Sequence, residues 1–141
     1  MVIEIKEYNS TDEISNTLDK EIAYTKSALG GYLRRLDEIR SLAEKAKRIR
    51  EIVMKLAGKK YEKENLGEIS MGNINIVLDA NPLDELVVIE SVVRSQQERL
   101  LTLQKAREGL KPFEQFSETD GLKLQVIQNN GIPEHVLVRI C

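Results

Sequence analysis

One imidazole, His135, and one thiol, Cys141, are the chain's whole supply of groups that titrate near neutrality or attack as soft nucleophiles. His135 lies in a strand-like stretch, where a lone histidine is more often solvated than a catalytic base. Cys141 reads as an inert terminal thiol. Asp79, Asp84, Glu85 and Glu90 gather around a helix start, and capping and the helix dipole account for the first three without a metal. The sequence has no GxxxxGK[ST], GxGxxG or HExxH, no Cys-His metal spacing and no nucleophile elbow. The expectation is a non-enzymatic chain with no catalytic residue, cofactor or metal.

Charge suggests binding chemistry instead. Arg34, Lys45, Arg48, Lys55, Lys59 and Lys60 form a basic row that could track a phosphate backbone. The same row also reads as the solvated face of a helix, broken by Glu38, Glu44, Glu51 and Glu62. No aromatic ladder is interleaved with it, so stacking on single strands has little support. Nucleic-acid contact is therefore the alternative, not the leading reading.

Two long heptad stripes must position these groups. Leu86, Ile89, Val93, Gln96, Leu100, Leu103, Arg107 and Leu110 alternate steps of three and four, which makes a narrow apolar seam on a helix. Ile22, Thr25, Leu29, Tyr32, Leu36, Ile39, Ala43 and Ala46 repeat that spacing upstream, and Val53 rejoins the phase after Arg50. The polar residues at Arg50, Gln96 and Arg107 either set register and oligomer number or snorkel past the seam edge. Helix 1 is expected over 12–57 with a break at Gly30-Gly31, because two interior glycines cost roughly 2 kcal/mol relative to alanines. Helix 2 is expected over 82–110, with Asn81 as N-cap and Pro82 at the first helical position.

Short β elements flank the helices. Residues 1–8 read as a half-buried strand built on Ile3 and Ile5. A hairpin over 68–79 turns at Gly72-Asn73, and a second over 122–140 turns around Asn129-Asn130-Gly131. The expected fold is α+β and mainly α, a single domain over 1–141. It is a long antiparallel coiled-coil helical hairpin with a short β-hairpin between the helices and a small terminal β-sheet. If the helices pair from the Gly72-Asn73 end, helix 2 finishes near Gly30-Gly31, and residues 12–29 bend away to cover the sheet. Residues 34–63 carry eleven Lys/Arg and five Asp/Glu, whereas 64–93 carry six acids and no base. Opposite charge on the two halves favours that pairing, though each exposed pair contributes little.

Composition agrees with thin-seamed helices. The 141 residues are 41% apolar, 31% charged and 4% aromatic, with a net charge of −2. The single cysteine excludes an intramolecular disulfide, and no apolar run is long enough to span a bilayer. A soluble, cytoplasmic protein is the expectation.

Helix, central strand-turn-strand and helix, over about Asp12 to Leu110, resembles the topology of prefoldin subunits. Those chaperones join antiparallel coiled coils through their hairpins into multimers, so the resemblance implies a chaperone subunit. Here helix 2 is much the shorter and a second hairpin follows it. Arg48–Ala57 and Gln125–Glu134 resemble segments of the GINS replication family, which implies a replication- or repair-type factor. The leading expectation is an assembly or scaffold subunit acting through homo- or hetero-oligomerisation. Its candidate interface is Ile69, Met71, Ile74, Ile76, Leu78, Val93, Leu100 and Leu103.

Overall fold

The computed structural model describes residues 2–57, 68–77, 81–116 and 122–140. The chain is mainly helical, with two helices and a small antiparallel sheet drawn from both ends of the sequence. In order the elements are β1 (Ile3–Tyr8), α1 (Thr11–Ala57), β2 (Glu68–Met71), β3 (Ile74–Val77), α2 (Pro82–Leu110), a 3-10 helix (Lys111–Phe116), β4 (Leu122–Asn129) and β5 (Ile132–Ile140). They form two compact units, one of residues 1–29 with 95–141 and one of residues 30–94.

Local side-chain chemistry starts both helices. At α1 the Ser10 hydroxyl accepts from the Glu13 N–H (3.3 Å), and the Glu13 carboxylate reaches back to the Asn9 N–H (3.0 Å). At α2 the Asn81 side chain accepts from the Asp84 N–H (3.0 Å), while Asp84 accepts from the Asn81 N–H (3.1 Å). Each exchange satisfies backbone donors that the first helical turn leaves without partners.

α1 is one uninterrupted helix of 47 residues. The break expected at Gly30-Gly31 is absent, and both glycines keep negative φ. Helical hydrogen bonding on either side carries the pair through, so its cost appears as lost stability and not as a turn.

The first unit is built on the sheet, in strand order β1-β4-β5, all antiparallel. Its core is Tyr8, Ile14, Leu18, Leu103, Leu110, Leu124 and Val126, from the sheet and both helices. Tyr8 pairs with Leu124 in register and accepts a hydrogen bond from Gln128 (3.1 Å). Side chains alternate along a strand, so fixing Tyr8 on the core face puts Ile3 and Ile5 on the other face. Both are well exposed, which corrects the expectation that they bury this strand. β4 and β5 turn through Asn130 (φ 52°) and Gly131 (φ 79°). Positive φ at both central residues is what a type I′ hairpin requires, and Asn-Gly suits it best.

Two ion pairs mark how the helices lie within this unit. Arg107 binds Asp19 (2.9 Å) and Arg99 approaches Glu21 (3.6 Å), so the two helices run in opposite directions there. The carboxyl end of α2 therefore lies beside residues 14–19. This corrects the expected register, in which that end met Gly30-Gly31. The reason is apolar: Leu103 and Leu110 complete the sheet's core with Ile14 and Leu18, and burial of two leucines outweighs flanking charge.

In the second unit α1 buries Leu36, Ile39 and Ala43, and α2 buries Val93. Arg35 bridges to Glu85 (3.2 Å). Here β2 and β3 form a separate two-stranded hairpin.

Candidate protein-binding surface

The hairpin of the second unit turns at Gly72, whose φ of 60° lies in the left-handed region that glycine enters at no steric cost. Its register pairs Glu68 with Val77, Ile69 with Ile76, Ser70 with Asn75 and Met71 with Ile74. Residues opposite one another in an antiparallel pair share a face. One face thus collects the positions of Ile69, Met71, Ile74 and Ile76, and the other those of Glu68, Ser70, Asn75 and Val77. The apolar face is uncovered: Met71 is 62% and Ile74 67% exposed. A two-stranded hairpin has too little packing to hold itself together in water, so this one is a poor candidate for a finished structure.

A second apolar surface lies in the same unit. Leu42, Ile49, Ile52, Val53 and Leu56 of α1 are all exposed, Leu56 at 84%. Val87 and Val88 at the start of α2 are exposed as well. Ile49, Ile52 and Leu56 are functional candidates that the sequence analysis passed over. Their signal was present as a second stripe, Leu42, Lys45, Ile49, Ile52 and Leu56, with the same alternating steps of three and four. Val53, assigned to the main seam, is exposed with them.

The remaining expected interface residues divide. Val93 and Leu103 are buried within the chain, and Leu100 is half-buried. Leu103 belongs to the core of the first unit, so neither it nor Val93 is offered to another molecule. That corrects their assignment: their heptad stripe is consumed by the chain's own packing. Leu78 lies outside the described residues.

Arg34, Lys45, Arg48 and Lys55 are exposed along α1; Lys59 and Lys60 lie outside the described residues. At 100° per residue, Lys45, Arg48 and Lys55 project opposite Leu36, Ile39 and Ala43. The row is thus the outer face of the helix. Among the described residues these three lysine and arginine side chains make no ion pair.

Arg107, expected as a polar seam residue, is the centre of a network in the first unit. It donates to Asp19 and to Glu114, and Glu114 also accepts from the Ser15 hydroxyl (2.7 Å). The Ser15 hydrogen bond, then Arg107, hold the Glu114 carboxyl below the ordinary carboxylate range. The Asp19 hydrogen bond raises the Arg107 guanidinium further above an already high value. This network ties α1, α2 and the 3-10 helix together within the first unit.

An open groove of about 650 Å³ runs between α2 and the β4–β5 turn, lined by Arg99, Thr102, Asn129, Ile132 and Glu134 among others. Two of its polar contacts are internal: Arg99 donates to the Asn130 carbonyl (2.9 Å) and the Asn129 amide nitrogen to Glu134 (3.1 Å), while the Asn129 Oδ1 is buried without a hydrogen-bond partner among the described residues. His135 is exposed on β5, and Cys141 and Asp79 lie outside the described residues. Asp84 serves the α2 cap. Among the described residues no cluster of His, Cys, Asp and Glu could hold a metal ion, and no helix is long and apolar enough to cross a membrane.

No protein family, curated protein or solved structure matches the chain. The prefoldin and GINS resemblances therefore rest on element order and short segments alone.

Proposed function

We propose that the protein is a non-enzymatic assembly subunit that acts by protein–protein association through its second unit. In this reading the parts of the two helices within that unit pair as an antiparallel coiled-coil hairpin and present the β2–β3 strands to another molecule. The observation that carries it is the uncovered face at Met71, Ile74 and Ile76. Three large aliphatic side chains on one small hairpin stay in water unless a partner covers them. Fully burying one such side chain stabilises by about 1.5–3 kcal/mol, so covering this face supplies several kcal/mol toward association. Against that stand the entropic costs of association, which is why the surrounding exposed residues of α1 and α2 matter too.

The test is mass in solution by light scattering, on the full chain and on Ile74→Asp. A carboxylate on the apolar face must be desolvated on association, at a cost of several kcal/mol. The reading predicts an associated wild-type chain and a dissociated variant with unchanged helix content. Equal masses for the two proteins would refute it.

A further inference from the structure

The first unit leaves one strand half covered. β5 is an edge strand of the sheet, and among the described residues nothing pairs with its outer side. Natural sheets blunt their edges with charge, proline or irregular register. β1, the opposite edge, carries Glu4, Lys6 and Glu7. β5 is blunted at its start, where Pro133 lacks an N–H and the register with β4 shifts beside Glu134. From His135 to Ile140 its one fixed charge is Arg139, and it exposes apolar side chains on both faces. Neighbouring residues of a strand face opposite ways, yet Leu137 and Val138 are 45% and 46% exposed. On the core face Leu124 is fully buried while its partner Val138 is not, so the core thins out over β5.

The face away from the core sets a charge conflict beside that edge. Register places Lys123 of β4 directly opposite Arg139 of β5. Both are exposed, and neither makes an ion pair among the described residues. Like charges directly opposite one another destabilise a ladder. The acid on this face, Glu7, accepts from Gln125 (3.3 Å) and engages neither cation. We propose that β5 adds an extended segment of another protein as a fourth strand, with a carboxylate opposite Arg139 and apolar side chains opposite Leu137 and Val138. Main-chain hydrogen bonds to the open edge supply affinity, and the alternating side chains supply selectivity. Charge selects the occupant, because an acid there neutralises the Lys123 and Arg139 pair and a basic or neutral strand leaves the conflict in place. A second copy of β5 brings no acid between His135 and Ile140. Adding β1 of a second copy leaves a new β5 edge at every step and propagates without closure. The contact uses the first unit alone and stands apart from the assembly reading above.

The experiment titrates the isotope-labelled full chain with the capped peptide Thr-Glu-Val-Leu-Val-Glu-Thr, which presents Glu, Leu and Glu on one face in either chain direction. The proposal predicts shifted backbone amides over 135–140, with those of β1 unmoved. Lys123→Glu with Arg139→Glu, checked by circular dichroism for wild-type helix content, should bind this peptide about tenfold more weakly. That variant should instead take up the peptide with lysine in place of each glutamate, a gain that misfolding cannot produce. Methylating alternate peptide nitrogens, in two complementary versions, separates strand addition from side-chain docking. One version blocks the nitrogens that face β5 and loses binding; the other keeps it. Binding of both versions, no shift over 135–140, or equal affinity in the reversed variant overturns the proposal. A DNA oligonucleotide that displaces the peptide overturns it in favour of a polyanion site. Ile74→Asp should leave peptide binding unchanged, so failure of this proposal and failure of the assembly reading are told apart.

Discussion

Leu103→Ala separates a residue that holds the fold from one that holds a partner. Leu103 is fully buried among Ile14, Leu18, Leu124 and Val126. Truncation removes Cγ and both Cδ atoms, a transfer loss of about 2.4 kcal/mol at about 0.8 kcal/mol per carbon. A cavity term adds to that, and its size depends on how far the walls relax. Ile14 and Val126 are β-branched and stiff at χ1, so collapse is limited. The expected loss is about 3–5 kcal/mol, the upper part of the range for leucine truncation. Leu101→Ala, half-exposed on the same helix, is the control and changes stability by about 1 kcal/mol or less. Urea unfolding followed by far-ultraviolet circular dichroism measures both, and light scattering records their masses under native conditions. Equal midpoints for the two variants, or loss of association in Leu103→Ala with stability intact, would refute the assignment of Leu103 to the core.

The other predictions concern backbone and charge. Replacing Gly30 and Gly31 together by alanine should stabilise the protein by about 1–2 kcal/mol, since each β-carbon enters open space in a continuous helix. A lowered thermal midpoint would show that the pair is a hinge after all. Glu114→Gln should flatten the acid limb of the stability profile. Its carboxyl pKa is lower in the folded chain than in the unfolded one, chiefly through the Ser15 hydrogen bond. The unfolded state therefore takes up the proton first as pH falls. The contribution is complete above the ordinary carboxylate range and is lost as pH drops through the depressed folded value. Thermal midpoints of wild type and variant should converge at the acid end and differ near neutrality. A constant gap across pH would contradict this.

What the sequence made legible was local. Asn81 and Asp84 cap α2 because their side chains reach backbone only three residues away, and no distant contact is needed. Asn130-Gly131 turns for a similarly short-range reason. The heptad stripe from Leu86 to Leu110 is buried or half-buried throughout, so periodicity identified the inward face of α2. What the sequence concealed was long-range. Nothing in the spacing says that Leu110 lies beside Ile14 and Leu18 and not near Gly30. That follows from a sheet whose strands come from opposite ends of the chain. The same pairing turned Ile3 and Ile5 away from the core, since a strand's facing flips with a single step of register. Reading Gly30-Gly31 as a break gave too much weight to propensity, which flanking helix overrides. For the candidate site, the apolar hairpin face was visible in Met71, Ile74 and Ile76. The stripe at Ile49, Ile52 and Leu56 was hidden behind the stronger seam on the same helix. Val93 and Leu103 were assigned to a partner because periodicity marks what is buried without saying by whom.

Mass in solution addresses the central claim most directly. Light scattering of the wild-type chain across a concentration series should give a defined multiple of 16.1 kDa, falling toward that value on dilution. A mass of 16.1 kDa at every concentration, with the Met71, Ile74 and Ile76 face intact, would contradict the account.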